Sequence, residues 1–508
     1  MHVVLVNYGR ENLGLEYLSA VLKQDGVRVS LVNHPGFFSV SDNVWHSPLL
    51  QKIFDSTPEL IARIIACKPD VVAFSVYSVN YQWACSVARA VKEALAVPIV
   101  FGGAHPTLVP EVVLENQWID AVVRGEGEAA LLDLVRAWSA RRPISEIQNV
   151  ACRHNGRIAI NAVRPLIDDL DALPFPDKEL FRPEVRLQDN YLTVSSRGCV
   201  FSCSFCSESF SRSLYGRSCF RKRSSENMLR ELELMTRRYR SRAVHFGDSI
   251  FCADRAWVMT FLPEYKRRIG LPFFCHGHVA FLDFKIAKLL KDSGCYKISV
   301  GVQSFNQEIR RRWLNRRETD REIDAALDAC DDVGLRAEID LIMGLPGERE
   351  EELERAAQAM LRHRCLSRIN TNDIVYFPRL PITTQAAAQG ILRQDDIDCG
   401  DRGGLNNFHA GSVRRSGESW RRAESFQRLY SMCQILPRSV MRWIVRHKLY
   451  QYFFRVPRII VLPLEIVGAI RTADYRYFFH ALKYLRILSA AEFRSRFFRG
   501  NAAKTQAR

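Results

Sequence analysis

The chain has 508 residues, 47% of them hydrophobic, with 14 cysteines and a formal net charge of +16. Such a length predicts about two to four domains with real cores. The cysteines follow no even secreted framework, so a disulfide scaffold is not expected.

Met1-HVVLVNYGREN starts directly on a strand-like run rather than a signal peptide, and free thiols point to a reducing cytoplasm. The charge is local: residues 401–508 hold 21 Lys/Arg against 6 Asp/Glu, which leaves 51 against 50 elsewhere. Basicity confined to one appended segment argues against specific nucleic-acid binding by the body of the chain.

Residues 1–140 alternate short apolar runs with amphipathic stretches. Strands are predicted at His2–Val6, Val27–Val32, Asp70–Ser75, Pro98–Phe101 and Ala121–Val123. Helices fall between them, as at Leu15–Gln24, Trp83–Leu95 and Glu128–Ala140. This rhythm predicts an α/β, doubly wound parallel sheet of Rossmann-like type. Ligands of such sheets bind beyond the carboxyl ends of strands, here Asn7–Gly14, Ser75–Asn80, Gly102–Thr107 and Arg124–Glu128.

Residues 141–190 read as a linker with a β-like pair around Asn155–Gly156, followed by LDALPFPDKELF, whose prolines disfavour helix. A second alternation fills residues 191–385. Strands are predicted at Tyr191–Ser195, Ala243–Phe246, Phe273–His276, Lys297–Val302, Arg336–Met343 and Asn372–Phe377. Helices separate them, at Ser225–Arg240, Ala256–Ile269, Asp283–Ser293, Asp320–Val333 and Glu350–Arg362. Six β/α units predict a partial (β/α)6 barrel with its active site at the carboxyl ends of the strands. Residues 386–508 lose the rhythm: a polar stretch, Cys399–Arg422, precedes a mainly helical, basic and aromatic region.

Cys199, Cys203 and Cys206 lie in YLTVSSRGCVFSCSFCSE, directly after the first strand of the second alternation. Three thiolates at C-x3-C-x2-C suit three irons of a [4Fe–4S] cubane. No fourth cysteine is adjacent, so one iron stays open to a substrate or cofactor. A structural zinc site needs a fourth ligand that the segment lacks. The other eleven cysteines are scattered singly, several in apolar runs such as those around Cys67 and Cys330, and read as structural.

The cysteine spacing resembles the signature of the radical S-adenosylmethionine (SAM) superfamily, and the resemblance runs through residues 191–382. It implies that SAM chelates the open iron and is cleaved by one electron to methionine and a 5′-deoxyadenosyl radical. It implies SAM contacts at Phe205, the aromatic before the last cysteine, and at Gly247 and Asp248 of HFGDSIF, where the family has a GGE-type motif for the SAM amino group. Gln303 and Ser304 of GVQSF match the ribose-facing segment, and Gly344 of IMGLPGE the stretch beside adenine. YFPRLPIT departs from the family's P-x-PGT, with Ile382 at the glycine.

Four segments of residues 1–140 are similar to the cobalamin-binding domain that precedes many radical SAM barrels: ENLGLEYLSAVL, VAFSVYSVN, FGGAHPTLVPE and RGEGEAALLDL. The resemblance implies cobalamin contacts from Asn12, Gly14, Ser75, Ser78, Gly102, Gly103, His105, Gly125 and Glu126. Glycines at strand ends let the backbone approach a large flat ligand. The serines suit its nucleotide tail. The D-x-H-x-x-G motif, whose histidine replaces the lower cobalt ligand in other cobalamin proteins, is missing, so His105 need not ligate cobalt.

The resemblance implies a cobalamin-dependent radical SAM enzyme, with methylation at an unactivated carbon as the first expectation. Oxidative cyclisation or rearrangement, as in the anaerobic magnesium-protoporphyrin cyclase relatives, is the alternative. A non-enzymatic cobalamin sensor is the alternative of another class, and the barrel motifs argue against it. The substrate is expected to be a small molecule or lipid, and the electron donor a flavodoxin or ferredoxin. The tail, residues 401–508, suits a helical cap on the barrel, peripheral contact with the inner membrane face, or an anionic partner or substrate.

Overall fold

A computed structural model describes residues 1–37, 39, 48–404 and 417–456, together with 463, 466, 467 and 470. The first sheet has seven strands: β1 (His2–Tyr8), β2 (Arg28–His34), β3 (Val71–Ser75), β4 (Ile99–Gly102), β5 (Ala121–Val123), β6 (Val150–His154) and β7 (Arg157–Ile160). Their order is β2-β1-β3-β4-β5-β6-β7. The first five run parallel; β6 pairs antiparallel with β5, and β7 antiparallel with β6. The segment expected as linker, 141–190, therefore supplies two strands of this sheet.

Alternate residues of the central strands enter opposite cores, which is the two-sided burial a parallel sheet needs. Val4, Val6, Val72 and Phe74 pack under the helices Thr57–Ala66 and Tyr81–Ala94. Val3, Leu5, Val71 and Ala73 pack under the helices Leu13–Gln24 and Glu128–Ser139.

The second sheet is six parallel strands: β8 (Tyr191–Thr193), β11 (Val244–Phe246), β12 (Phe273–Gly277), β13 (Cys295–Gln303), β14 (Ala337–Met343) and β15 (Leu366–Asp373). A two-stranded ribbon, β9 (Ser196–Arg197) with β10 (Arg221–Lys222), stands between β8 and β11 in the chain. The six run in chain order from β8 to β15, with those two at the edges, as an open β/α barrel requires.

Phe246, Cys275, Ile298, Val300, Ile339 and Leu341 enter the core under the helices. Their strand neighbours His245, His276, Ser299, Asp340 and Asn370 alternate with them and take the opposite face. The last strand falls at Leu366–Asp373 rather than Asn372–Phe377. LSRINTND has few apolar residues, whereas the following Ile374 and Tyr376 are buried in a separate cluster at the barrel mouth.

That cluster joins the two halves. Leu108 and Val109, from the segment after β4, pack with Trp313, Leu314, Ile342 and Leu380 of the barrel. The described part of the tail caps the barrel: Phe426, Leu429, Tyr430, Met441 and Tyr450 complete its core. The basic aromatic stretch Tyr475–Phe498 and most of the apolar run Ile459–Ile470 lie outside the described residues, as do residues 405–416 of the polar stretch. Among the described residues, no helix is long and apolar enough to cross a membrane.

Lys178 anchors the connecting segment. Its side chain is fully buried and ion-pairs with Glu11 at 2.8 Å and Glu16 at 2.6 Å. Its ammonium also lies 5.0 Å from the ring centroid of Tyr191 in β8, so one cation ties the first domain to the start of the barrel. Burial opposes its charge, yet the two carboxylates hold the ammonium protonated above its ordinary range. Lys178→Met leaves two buried carboxylates without their cation. We expect a loss of about 3–5 kcal/mol, read as a lower urea midpoint, while Lys178→Arg keeps most of the stability.

Candidate functional site

The cysteine loop is closed at its base by the β9–β10 ribbon, where Arg197 stands opposite Arg221. Gly198 follows with φ +75°, and a Cβ there would collide with the Cys219 carbonyl, so the bend demands glycine. The loop is pinned at Ser204. Its N–H donates to the Leu314 carbonyl at 3.1 Å, its hydroxyl donates to the Trp313 carbonyl, and its carbonyl accepts the Ile382 N–H at 3.2 Å. Ile382, where the family has glycine, is fully buried as it makes this bond.

Cys199, Cys203 and Cys206 are free and half-buried, and Cys206 sits at the amino end of the helix Ser207–Tyr215. Burial pushes all three thiols up, Cys206 to about 11. The Arg316 guanidinium, 3.7 Å from the Cys203 sulfur, opposes that rise at Cys203. The thiols are therefore held protonated, and iron binding releases those protons. Beside them, Glu208 Oε2 is buried with no hydrogen-bond partner. Three clustered thiols without a fourth, an adjacent cation and an orphaned carboxylate oxygen fit a three-cysteine cluster with one open iron.

The barrel's strand ends place the expected SAM residues around this loop, with two departures. The exposed Gly247 donates its N–H to the Thr193 carbonyl at 2.7 Å. Asp248 does not face the opening. Its buried carboxylate accepts the Ser195 N–H at 3.0 Å, the Ser195 hydroxyl at 2.7 Å and the Ser196 hydroxyl. It holds the turn that leads to the cysteines, its oxygens accepting from three neutral donors of that turn.

Ser304 is likewise turned inward: its hydroxyl accepts the Asn306 N–H at 3.1 Å, and its carbonyl accepts from Arg310. Gln303 remains at the mouth in a left-handed backbone conformation, φ +69°, at an irregularity between β13 and β14. Its amide folds over Gly301, where a Cβ would sit 2.5 Å from Nε2. Strain of this kind concentrates at ligand sites. Gly344, φ +80°, donates its N–H to Glu348 at 2.9 Å, and Phe205 packs in the cluster at the barrel mouth.

In the first domain, Asn12 caps its helix by accepting the Leu15 N–H and donates to the Ser75 hydroxyl at 2.9 Å. Gly14 is exposed in the first turn of that helix. Gly102 ends β4, and Gly103 follows at φ +109°, where a Cβ would stand 2.7 Å from the Val76 carbonyl. His105 is wholly buried: Nδ1 shares a hydrogen bond with the Ser78 hydroxyl at 2.9 Å, and the ring packs on Tyr81 at 4.3 Å. Nε2 has no hydrogen-bond partner of good geometry, and burial pushes the imidazole down to about 4. His105 and Ser78 thus form an internal pair beneath the strand ends.

Gly125, φ +70°, donates its N–H to Thr107 Oγ1 at 3.1 Å. The Glu126 side chain departs from the expectation. Its carboxylate binds Arg221 at 2.9 Å, Arg197 at 3.1 Å and the Ile167 N–H at 2.9 Å. Burial would raise its carboxyl, but these donors hold it below the usual range. Its own N–H donates to the Tyr215 hydroxyl at 3.0 Å, at the far end of the helix that Cys206 begins.

The two strand-end edges thus face each other. Arg197, Arg221 and Tyr215 carry this arrangement, while Arg316 reaches Cys203 within the barrel; none stood out in the sequence, because their partners are 71 to 113 residues away. The paired glutamates of RGEGE were the one available signal.

Since His105 is enclosed and already bonded to Ser78, His105→Ala should leave the axial hyperfine pattern of bound cob(II)alamin unchanged. Electron paramagnetic resonance (EPR) checks this; loss of a nitrogen splitting in the variant would refute it.

The family model described as the B12 binding domain matches residues 3–135, and that described as the Radical SAM superfamily matches residues 193–360. An uncharacterized methyltransferase of Pyrococcus horikoshii is 30% identical over 307 residues, 59% of this chain and 66% of that protein. The anaerobic magnesium-protoporphyrin IX monomethyl ester cyclase of Rubrivivax gelatinosus is 27% identical over 59% of this chain and 55% of its own length. The matches thus span between half and two thirds of these relatives.

The solved structure of the cobalamin-dependent SAM radical enzyme OxsB, with aqua-cobalamin and SAM bound, superposes with a TM-score of 0.65. That match covers 98% of this chain and 83% of OxsB at 13% identity, which is a likeness of fold. The two domain matches, in this order and over these sheets, bring cobalamin to the first domain and the [4Fe–4S] cluster with SAM to the second. The chain belongs to the radical SAM superfamily, among the members that carry an amino-terminal B12-binding domain.

Proposed function

We propose that the chain is a cytoplasmic methyltransferase that acts by radical chemistry on an unactivated carbon of a small molecule or lipid. Bound in these sites, the cluster and SAM supply a 5′-deoxyadenosyl radical that takes a substrate hydrogen, and the corrinoid supplies the methyl group. One observation carries the reading: the Tyr215 hydroxyl accepts the Glu126 N–H at 3.0 Å, so the glycine loop of the first domain and the cysteine helix of the second are in direct contact. A hydrogen abstractor and a methyl donor must reach the same carbon, and facing loops meet that demand. The methyltransferase name of the relative from P. horikoshii supports the same reading.

The chain's own groups have distinct tasks. Arg316 favours the Cys203 thiolate. Asp248 fixes the turn before the cysteines, while Gln303 stands at the barrel mouth where SAM would bind. All fourteen cysteines are free, which suits a reducing compartment. Single electrons would come from a flavodoxin or ferredoxin.

The helix Arg438–Arg446 exposes Val440 and Trp443 beside Arg442 and Arg446, with Tyr452 exposed nearby. Such a basic, aromatic face suits peripheral contact with anionic lipid at the inner membrane face, and no nucleic-acid role is proposed.

Anaerobic reconstitution with iron and sulfide, followed by SAM and a reductant, tests the reading. The expected result is 5′-deoxyadenosine from the wild type and background levels from the Cys199→Ala/Cys203→Ala/Cys206→Ala variant. A product heavier by CH2 supports methylation. Loss of hydrogens would instead establish cyclisation. A cluster-loaded preparation that holds cobalamin and forms no 5′-deoxyadenosine would favour a sensor.

A further inference from the structure

We infer that the cobalamin-binding domain is a working part of the cluster site: Glu126 and Glu128 hold the base of the cysteine loop closed. The inference rests on Cys199, Cys203 and Cys206 holding the cluster. All three lie between Arg197 and Arg221, the two residues that face each other across the β9–β10 ribbon. Like charges directly opposite on paired strands repel. This ribbon is only two residues long on each side, too short to hold by its own hydrogen bonds.

The repulsion is cancelled from outside. Glu126 reaches between the two guanidiniums, 3.1 Å from Arg197 and 2.9 Å from Arg221, and Glu128 takes the other nitrogen of Arg197 at 2.6 Å. Tyr17, on the first helix of the same domain, covers Arg197 with its ring at 5.0 Å. Arg197 is two residues from Cys199, so a ribbon that parts at this point displaces the first ligand. Gly125 and Gly127 flank Glu126 in the loop expected to meet the corrinoid. The carboxylate that closes the cysteine loop and the backbone that meets the other cofactor therefore belong to one short segment.

Truncating one partner of a buried charge pair harms mainly through the charge left behind. In Glu126→Gln that charge is Arg221, opposite an Arg197 that Glu128 still pairs. Removing one arginine should then repair what removal of the glutamate breaks, which a general loss of fold would not allow.

The experiment uses the full-length protein, reconstituted anaerobically with iron and sulfide, and follows iron removal by an iron chelator through the loss of thiolate-to-iron absorbance. The EPR spectrum of the reduced cluster is the second readout. Glu126→Gln is expected to lose iron about tenfold faster than wild type, with an altered EPR line shape. Glu126→Gln/Arg221→Gln should return to within about twofold of wild type, with the wild-type spectrum restored. Iron loss from Glu126→Gln at the wild-type rate would overturn the inference. So would a double variant that loses iron as fast as the single one. If the wild type itself takes up no cluster, the ligand assignment fails and this inference with it. A wild type that holds four irons beside an unaffected Glu126→Gln refutes the coupling alone.

Discussion

Everything at this site depends on a charge contact between two sheets. The carboxylates after β5 meet the guanidiniums at the base of the cysteine loop, with Arg197 shared between Glu126 and Glu128. Buried ion pairs contribute little net stability, because desolvation offsets most of their attraction. Their value here is geometric. A charged pair with 7% and 17% side-chain exposure, Arg221 with Glu126, tolerates few other arrangements, so it fixes how the edges meet. Lys178 does the same further from the opening, where one ammonium is held by two carboxylates of the first domain against the ring of the first barrel strand. Apolar contact at the mouth, through Leu108, Val109 and Trp313, adds area without such direction.

The barrel shows a related division between its two faces. Its outward residues are apolar and feed one continuous core with the helices and the described tail. Its inward residues carry hydrogen-bonding groups, as in Ser299 to Asp340 at 3.0 Å and Asn370 to Asp340 at 2.9 Å. The cysteine loop closes over one end of this interior, and Ser204 ties that loop to the last barrel segment through Ile382. The departure from glycine at Ile382 is therefore absorbed by the core: the side chain is buried and its N–H does the binding.

Much of this fold was legible because it rests on periodicity. Parallel strands buried on both faces read as short apolar runs, and ten of the eleven strands expected from the sequence fall in register with the structure or within a few residues. The exception, β15, lacks an apolar run, and the stronger run beside it serves the inter-domain cluster instead. The β6–β7 hairpin was visible, but its partner was not, since strand pairing across 27 residues leaves no local mark.

What the sequence marks at the candidate site is local: a thiol spacing and glycines at strand ends, such as Gly103 with its close approach to Val76. At Asp248, Ser304 and Glu126 it left open the internal bonds these side chains make. Each is a polar residue at a strand end, where sequence cannot tell a side chain aimed at a ligand from one spent on a neighbouring backbone.

The central claim is that the two cofactor loops open on one shared space. It is tested most directly by EPR of the protein loaded with both cob(II)alamin and the reduced cluster. Two paramagnets in one cleft relax and split each other. The account predicts a cob(II)alamin signal that broadens and relaxes faster when the cluster is reduced, and that returns to its isolated form when the cluster is oxidised. A cob(II)alamin spectrum and relaxation rate indifferent to the state of the cluster would contradict it.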